Sequence, residues 1–119
     1  MNARAIYASL LVADLPAAED WYSRLLGRGP DHRPMDSLIQ WDFFAGAGLM
    51  VSTSDEIAGK GAAFVYVEDV ATERTRLREL GIALGEDIAG DYSTLAQVHD
   101  PDGNLLTLAT PPSRPFPPA

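Results

Sequence analysis

The sequence predicts an α+β fold made of two βαβββ modules that curl around a shared cleft. The first observation behind this is an internal repeat. Residues 8–25 (ASLLVADLPAAEDWYSRL) read as strand, Asp, helix, and residues 63–80 (AFVYVEDVATERTRLREL) repeat that grammar 55 positions later, with Asp69 on Asp14. The superposition pairs Leu10 with Val65, Val12 with Val67, Leu15 with Val70, Tyr22 with Leu77 and Leu25 with Leu80. Such self-similarity marks two copies of a unit that cannot bury its apolar face alone. The second observation is that each copy is followed by short strand-like runs separated by turn residues. The third is size: 119 residues fit one domain, with modules at 4–54 and 61–110 and a Pro-rich tail at 111–119.

Taken in order, Ile6–Val12 is a strand by alternation, with Ile6, Ala8, Leu10 and Val12 on one face and Tyr7, Ser9 and Leu11 on the other. Asp14 is suited to cap a helix whose first turn tolerates Pro16, because proline's missing N–H has no intrahelical partner there. Leu15, Ala18, Tyr22 and Leu25 form its buried stripe, and Gly27 stops it. Residues 28–36 read as an irregular crossing or weak edge strand. Residues 37–44 and 48–53 read as two strands joined at 45–47, and the polar segment 54–61 joins the modules.

The second module opens with a strand over 62–67, in which Ala63, Val65 and Val67 face the helix and Ala62, Phe64 and Tyr66 face away. Asp69 caps a helix with Val70, Leu77 and Leu80 inward, and Gly81 ends it. A short edge around 84–88 and strands at 93–99 and 105–109 follow, the last two flanking the turn Asp100-Pro101-Asp102-Gly103-Asn104. The proline-laden tail suits a frayed end better than an arm on a partner subunit.

Composition limits the function. Seventeen acidic against nine basic residues give a formal charge of −8, which repels nucleic-acid phosphates and anionic lipid and attracts a cationic ligand, besides serving solubility. Without cysteine there is no thiolate chemistry. No apolar run is long enough for a bilayer span and the N-terminal segment lacks a signal-peptide pattern, so a cytoplasmic protein with neither nucleic-acid nor membrane partners is expected.

The pattern LxVxDLxxAxxWYxxLLG over residues 10–27, its second copy, and VHDPDGNLLTLA over residues 98–109 resemble the vicinal oxygen chelate superfamily. That group includes glyoxalase I, fosfomycin-inactivating transferases, extradiol dioxygenases, methylmalonyl-CoA epimerase and bleomycin-resistance proteins. The resemblance covers residues 4–110 and implies the fold, but not one chemistry. In metal-using members a His precedes the first capping Asp by seven residues, where this chain has Tyr7, and a second ligand precedes the other capping Asp equally, where it has Ala62. A Glu follows the DPDG turn at the place of Thr107, and a fourth ligand comes from the strand near Met50, where no carboxylate is found at the cleft-facing positions. A phenol, a methyl, a hydroxyl and a thioether do not hold Zn²⁺, Ni²⁺, Mn²⁺ or Fe²⁺, so neither metal nor cofactor is expected.

Alternation lines the expected cleft with Tyr7, Ser9, Met50, Ser52, Ala62, Phe64, Tyr66, Leu95, Gln97, His99 and Thr107, joined in one register by Trp41 and Phe43. An aromatic surface with scattered hydroxyls and an amide suits small organic molecules, unless the rings collapse onto one another as a dry core. Tyr7 with His99 is the sharpest catalytic candidate, His99 as acid or base and Tyr7 as donor to an oxyanion; both also have plain structural readings, packing for Tyr7 and the Asp-Pro-Asp-Gly turn for His99. Arg24, Arg28 and Arg33 could hold an anion at the cleft mouth, though offsetting the helix dipole suffices to explain them.

The foremost expectation is a metal-independent, homodimeric binding protein of the bleomycin-resistance type, sequestering an aromatic or cationic natural product such as an antibiotic, with residues 54–61 as the hinge between modules. The alternative is a metal-independent isomerase, lyase or cyclase acting on a hydrophobic small molecule through His99 and Tyr7. A third reading is a structural module with a collapsed cleft.

Overall fold

The computed structural model describes all residues, Met1–Ala119. The chain divides into two compact units, residues 1–63 with 99–105, and residues 64–98 with 106–119. The element order is β1 (Ile6–Val12), α1 (Leu15–Leu26), β2 (His32–Met35), β3 (Leu38–Phe44), β4 (Ala47–Thr53), β5 (Ala62–Tyr66), α2 (Val70–Glu79), β6 (Ile88–Ala89), β7 (Thr94–His99) and β8 (Leu105–Ala109). Two four-stranded sheets result, ordered β1-β4-β3-β2 and β5-β8-β7-β6. This is the expected pair of βαβββ modules. The edge expected around 84–88 shrinks to the two residues of β6. Neither helix is long and apolar enough to cross a membrane.

In the first unit β1 runs parallel to β4, and β4 antiparallel to β3. The register aligns Leu10 with Val51 and Val51 with Ile39, and in the next row Ala8 with Leu49 and Leu49 with Trp41. Leu10, Leu49, Val51, Ile39 and Trp41 are all buried, as are Leu15, Ala18, Trp21, Tyr22 and Leu25 of α1. One face of the sheet therefore lies under the helix, and burial of the four large side chains of α1, besides Ala18, stabilises the unit by roughly 1.5–3 kcal/mol each. Asp14 caps α1 by accepting the Ala17 N–H at 3.1 Å, and Gly27 ends it in the left-handed conformation at φ 83°.

The Asp-Pro-Asp-Gly-Asn turn belongs to the first unit because its side chains tie that unit together. Asp100 Oδ1 accepts the backbone N–H groups of Asp102, Gly103 and Asn104, each at 2.9 Å. Its Oδ2 accepts the Tyr22 hydroxyl at 2.6 Å and the Asn104 amide at 2.8 Å. The same amide donates to the Leu11 carbonyl at 2.8 Å, and Asn104 Oδ1 accepts from Gly61 N–H at 2.8 Å. Asn104 is fully buried and uses its donor and acceptor groups together, as a buried amide must. The joining segment 54–61 is held by the same unit: a Cβ on Gly59 (φ 80°) would meet the Asp102 carbonyl oxygen at 1.9 Å.

In the second unit Asp69 caps α2, whose Val70 and Leu77 are buried with Ile82, Leu84, Ala96, Leu106 and Leu108. Leu80, expected inward, is instead 41 % exposed. The helix closes at Leu80 and the chain turns left-handed at Gly81, so Ile82 and Leu84 supply the next buried positions. The tail, expected to fray, is laid against the β6–β7 turn. Ser113 N–H donates to the Tyr92 carbonyl at 2.8 Å, the Phe116 ring meets the Tyr92 ring at 4.8 Å, and the Arg114 guanidinium lies 4.5 Å from that ring's centroid.

Candidate functional site

Since α1 covers one face of the first sheet, the other face carries Tyr7, Ser9 and Leu11 from β1, Met50 and Ser52 from β4, and Leu38, Gln40 and Asp42 from β3. Its rows follow from the register. Tyr7 opposes Gly48, which opposes Asp42; Ser9 opposes Met50, which opposes Gln40, which opposes His32 of β2. Gly48 matters here: it puts no side chain between its neighbours, and a Cβ at that position would meet the Trp41 carbonyl oxygen at 1.9 Å and the Tyr7 ring at 3.0 Å. The Tyr7 ring reaches across this gap and donates its hydroxyl hydrogen to Asp42 Oδ1 at 2.7 Å.

Around Asp42 a polar group converges. Gln40 Nε2 donates to Asp42 Oδ1 at 2.9 Å, and the His32 Nε2 stands 2.9 Å from Asp42 Oδ2. The loop before β2 fixes the strand beneath. Asp31 Oδ2 accepts the Asp42 N–H at 2.7 Å, while Arg28 donates to Asp31 Oδ1 and to the Asp42 carbonyl, each at 2.5 Å. The hydrogen bond from Tyr7, followed by those from Gln40 and His32, holds the Asp42 carboxyl below the usual carboxylate range. The same bond to Asp42 raises Tyr7 above the ordinary phenol value, so Tyr7 stays protonated. Asp31 is lowered chiefly by Arg28.

The second sheet presents Phe64 and Tyr66 of β5, 53 % and 50 % exposed, with their ring centroids 5.2 Å apart in an edge-on contact. Gln97 Nε2 donates to the Thr107 hydroxyl at 3.1 Å, and Thr107 is buried. Leu95 is half-buried, and Ala62 and His99 are exposed at the ends of their strands.

Trp41 requires a correction. Expected with the open-face residues, it is fully buried on the helix-covered side, 6.2 Å from the Tyr22 ring, with its indole N–H donated to the Arg28 carbonyl at 3.0 Å. The strand register that brings Trp41 inward brings Gln40 and Asp42 outward. Phe43 stands 40 % exposed where β3 departs from regular pairing between Asp42 and Phe44. Tyr7 gives its hydrogen to Asp42 rather than to His99. The arginines near the end of α1 meet carboxylates of this chain: Arg24 meets Asp20 at 3.0 Å, Arg28 meets Asp31, and Arg33 meets Glu19 at 2.5 Å.

Asp42, Gln40 and His32 escaped the sequence reading. The signal was present in the alternation of Gln40 and Asp42 with Ile39 and Trp41, a polar-out, apolar-in strand. The aromatic character of Trp41 and Phe43 drew attention to the wrong face.

Nowhere do three or more His, Cys, Asp or Glu side chains group so as to hold a metal ion. The positions at which the resemblance places metal ligands hold the Tyr7 phenol, which donates to Asp42, the Ala62 methyl, the Thr107 hydroxyl, which accepts from Gln97, and the Met50 thioether. Those donors do not fit a divalent transition metal.

With two four-stranded sheets, each built from one β-α-β-β-β unit, the chain has the fold of the glyoxalase/bleomycin-resistance proteins. Among solved structures it is similar to a glyoxalase/bleomycin resistance protein from Catenulispora acidiphila, with 26 % identity, a TM-score of 0.83, and coverage of 91 % of this chain and 98 % of that one. TnmS3, an antibiotic-binding protein from Streptomyces sp. CB03234, is 22 % identical with a TM-score of 0.76, covering 92 % of this chain and 97 % of its own. A bleomycin-binding protein solved in complex with bleomycin is 21 % identical with a TM-score of 0.72, covering 92 % and 98 % respectively. No protein-family model and no curated protein matches the chain.

Proposed function

We propose that the protein is a metal-independent binder of small organic molecules, sequestering an aromatic or cationic natural product such as an antibiotic on the open faces of its sheets. The observation that carries this is the exposed Phe64–Tyr66 pair. Two large rings held in mutual contact yet half in water offer a preformed apolar surface at little entropic cost, which is what an aromatic guest needs. The fold adds support, since TnmS3 is an antibiotic-binding protein and another protein of this fold holds bleomycin. Metal independence rests on the donor chemistry above. The proposed homodimer rests on the resemblance to the bleomycin-resistance type.

Catalysis by Tyr7 and His99 gains nothing from the structure. A phenol already bound to a carboxylate, with its pKa raised, is a poor donor to a developing oxyanion.

Phe64→Ala and Tyr66→Ala test this reading. Each residue is too exposed to matter greatly for stability, so each variant should melt within about 0.5 kcal/mol of wild type. Each should weaken binding of a hit from an antibiotic panel by about tenfold, as loss of an aromatic contact in a pocket does. Unchanged affinity in both variants would overturn the assignment of β5 as a binding surface.

A further inference from the structure

Resting on the binding function above, we propose that Asp42 is the recognition point for a cationic group of the ligand, an ammonium or guanidinium, and that His32 is an internal competitor for the same carboxylate. Three features of the cluster lead there. Asp42 lies on the open face with its side chain 34 % exposed, so a ligand can reach it. Its Oδ1 is held by two uncharged donors, Tyr7 and Gln40, which orient the carboxylate and favour its ionised form without cancelling its charge. Arg28, the one guanidinium against this strand segment, meets Asp31 in an ion pair and reaches Asp42 only at its backbone carbonyl. A negative charge fixed in place and left uncompensated is the standard requirement for selecting a cation.

His32 supplies the control. Its Nε2 lies 2.9 Å from Asp42 Oδ2, and its side chain is 59 % exposed, free to swing into solvent. The groups that face this pair are Tyr7 from β1, Gln40 from β3, and Arg28 and Asp31 from the loop before β2, while Gly48 of β4 contributes no side chain. Protonated, the imidazole makes an ion pair with Asp42 and occupies Oδ2. Neutral, it is a weaker, displaceable partner, and a cationic guest takes its place. Cation affinity is therefore lower where the imidazole is protonated than where it is neutral.

The experiment is an NMR titration of the full chain with benzyltrimethylammonium and, separately, benzyl alcohol, an uncharged aromatic probe. The cation should perturb the amides of Gln40 and Asp42 and bind about fivefold more tightly at pH 8 than at pH 5.5. Asp42→Asn should weaken the cation by about tenfold while leaving benzyl alcohol unaffected. His32→Gln should flatten the pH dependence. The proposal is overturned if the cation binds equally well to Asp42→Asn, or if its affinity in wild type does not change with pH. Should Asp42→Asn fail to fold, the contrast between cation and alcohol at Gln40 and Asp42 in wild type decides. Benzyl alcohol shifting the Phe64 and Tyr66 resonances without any cation preference at Asp42 sinks this inference alone; no response to either probe sinks the binding function with it.

Discussion

The Asp100 carboxylate accepts five hydrogen bonds within the first unit: from the Tyr22 hydroxyl, the Asn104 amide and three backbone N–H groups of its own turn. Burial first, and the Asp100 carboxylate next, push the Tyr22 phenol far above its ordinary value, so Tyr22 remains a hydrogen donor in alkaline solution. Tyr22→Phe removes the donor and leaves a buried carboxylate oxygen with one partner fewer. A loss of about 2 kcal/mol is expected in urea unfolding, since hydrogen bonds to charged groups contribute that much. A loss below about 0.5 kcal/mol would mean the bond is incidental to folding. Gly48 carries a comparable demand on the open face. Gly48→Ala would collide with the Trp41 carbonyl and displace the Tyr7 ring, so the amides around Asp42 should shift in the NMR spectrum even though no charged group has changed.

Among the elements, both helices begin on an aspartate whose side chain closes the first turn. The Thr72 hydroxyl, and next its N–H, donate to Asp69 at 2.5 and 3.1 Å and lower its pKa. A carboxyl depressed in the folded state contributes stability that is present above its unfolded pKa and disappears as pH falls through the folded value. Acid titration followed by circular dichroism should therefore show Asp69→Asn losing helicity over a narrower margin than wild type, with the two proteins converging at the acid end. Parallel curves throughout would contradict the cap's role. Much at this scale was legible in the sequence. Asp14, Asp69 and Gly27 act locally, and the inward turn of Leu10 and Val12 in β1 depends only on neighbours along the chain. What was illegible needed partners distant in sequence. Leu80 looked inward by helical spacing until the chain turned at Gly81, and the tail's anchor on Tyr92 lies some twenty residues upstream of the tail itself.

At the level of the whole molecule, the repeat announced two βαβββ units, and the site depended on something the repeat does not encode. Which side of β3 faces the helix is set by the pairing of Trp41 with Leu49 and of Asp42 with Gly48 across strands. A slip of one residue exchanges the two faces, which is why Asp42 stayed hidden, while Phe64 and Tyr66, on the strand that repeats β1, stand exposed. The central claim is that rings and hydrogen-bonded polar groups, rather than an ion, recognise an organic guest. Thermal melting of protein stripped with a chelator, against a panel of aromatic and cationic antibiotics, tests it most directly. The account predicts that at least one compound raises the melting temperature in a saturable manner, unchanged by added Zn²⁺ or Ni²⁺. Stabilisation that appears only when a divalent metal is restored would contradict it.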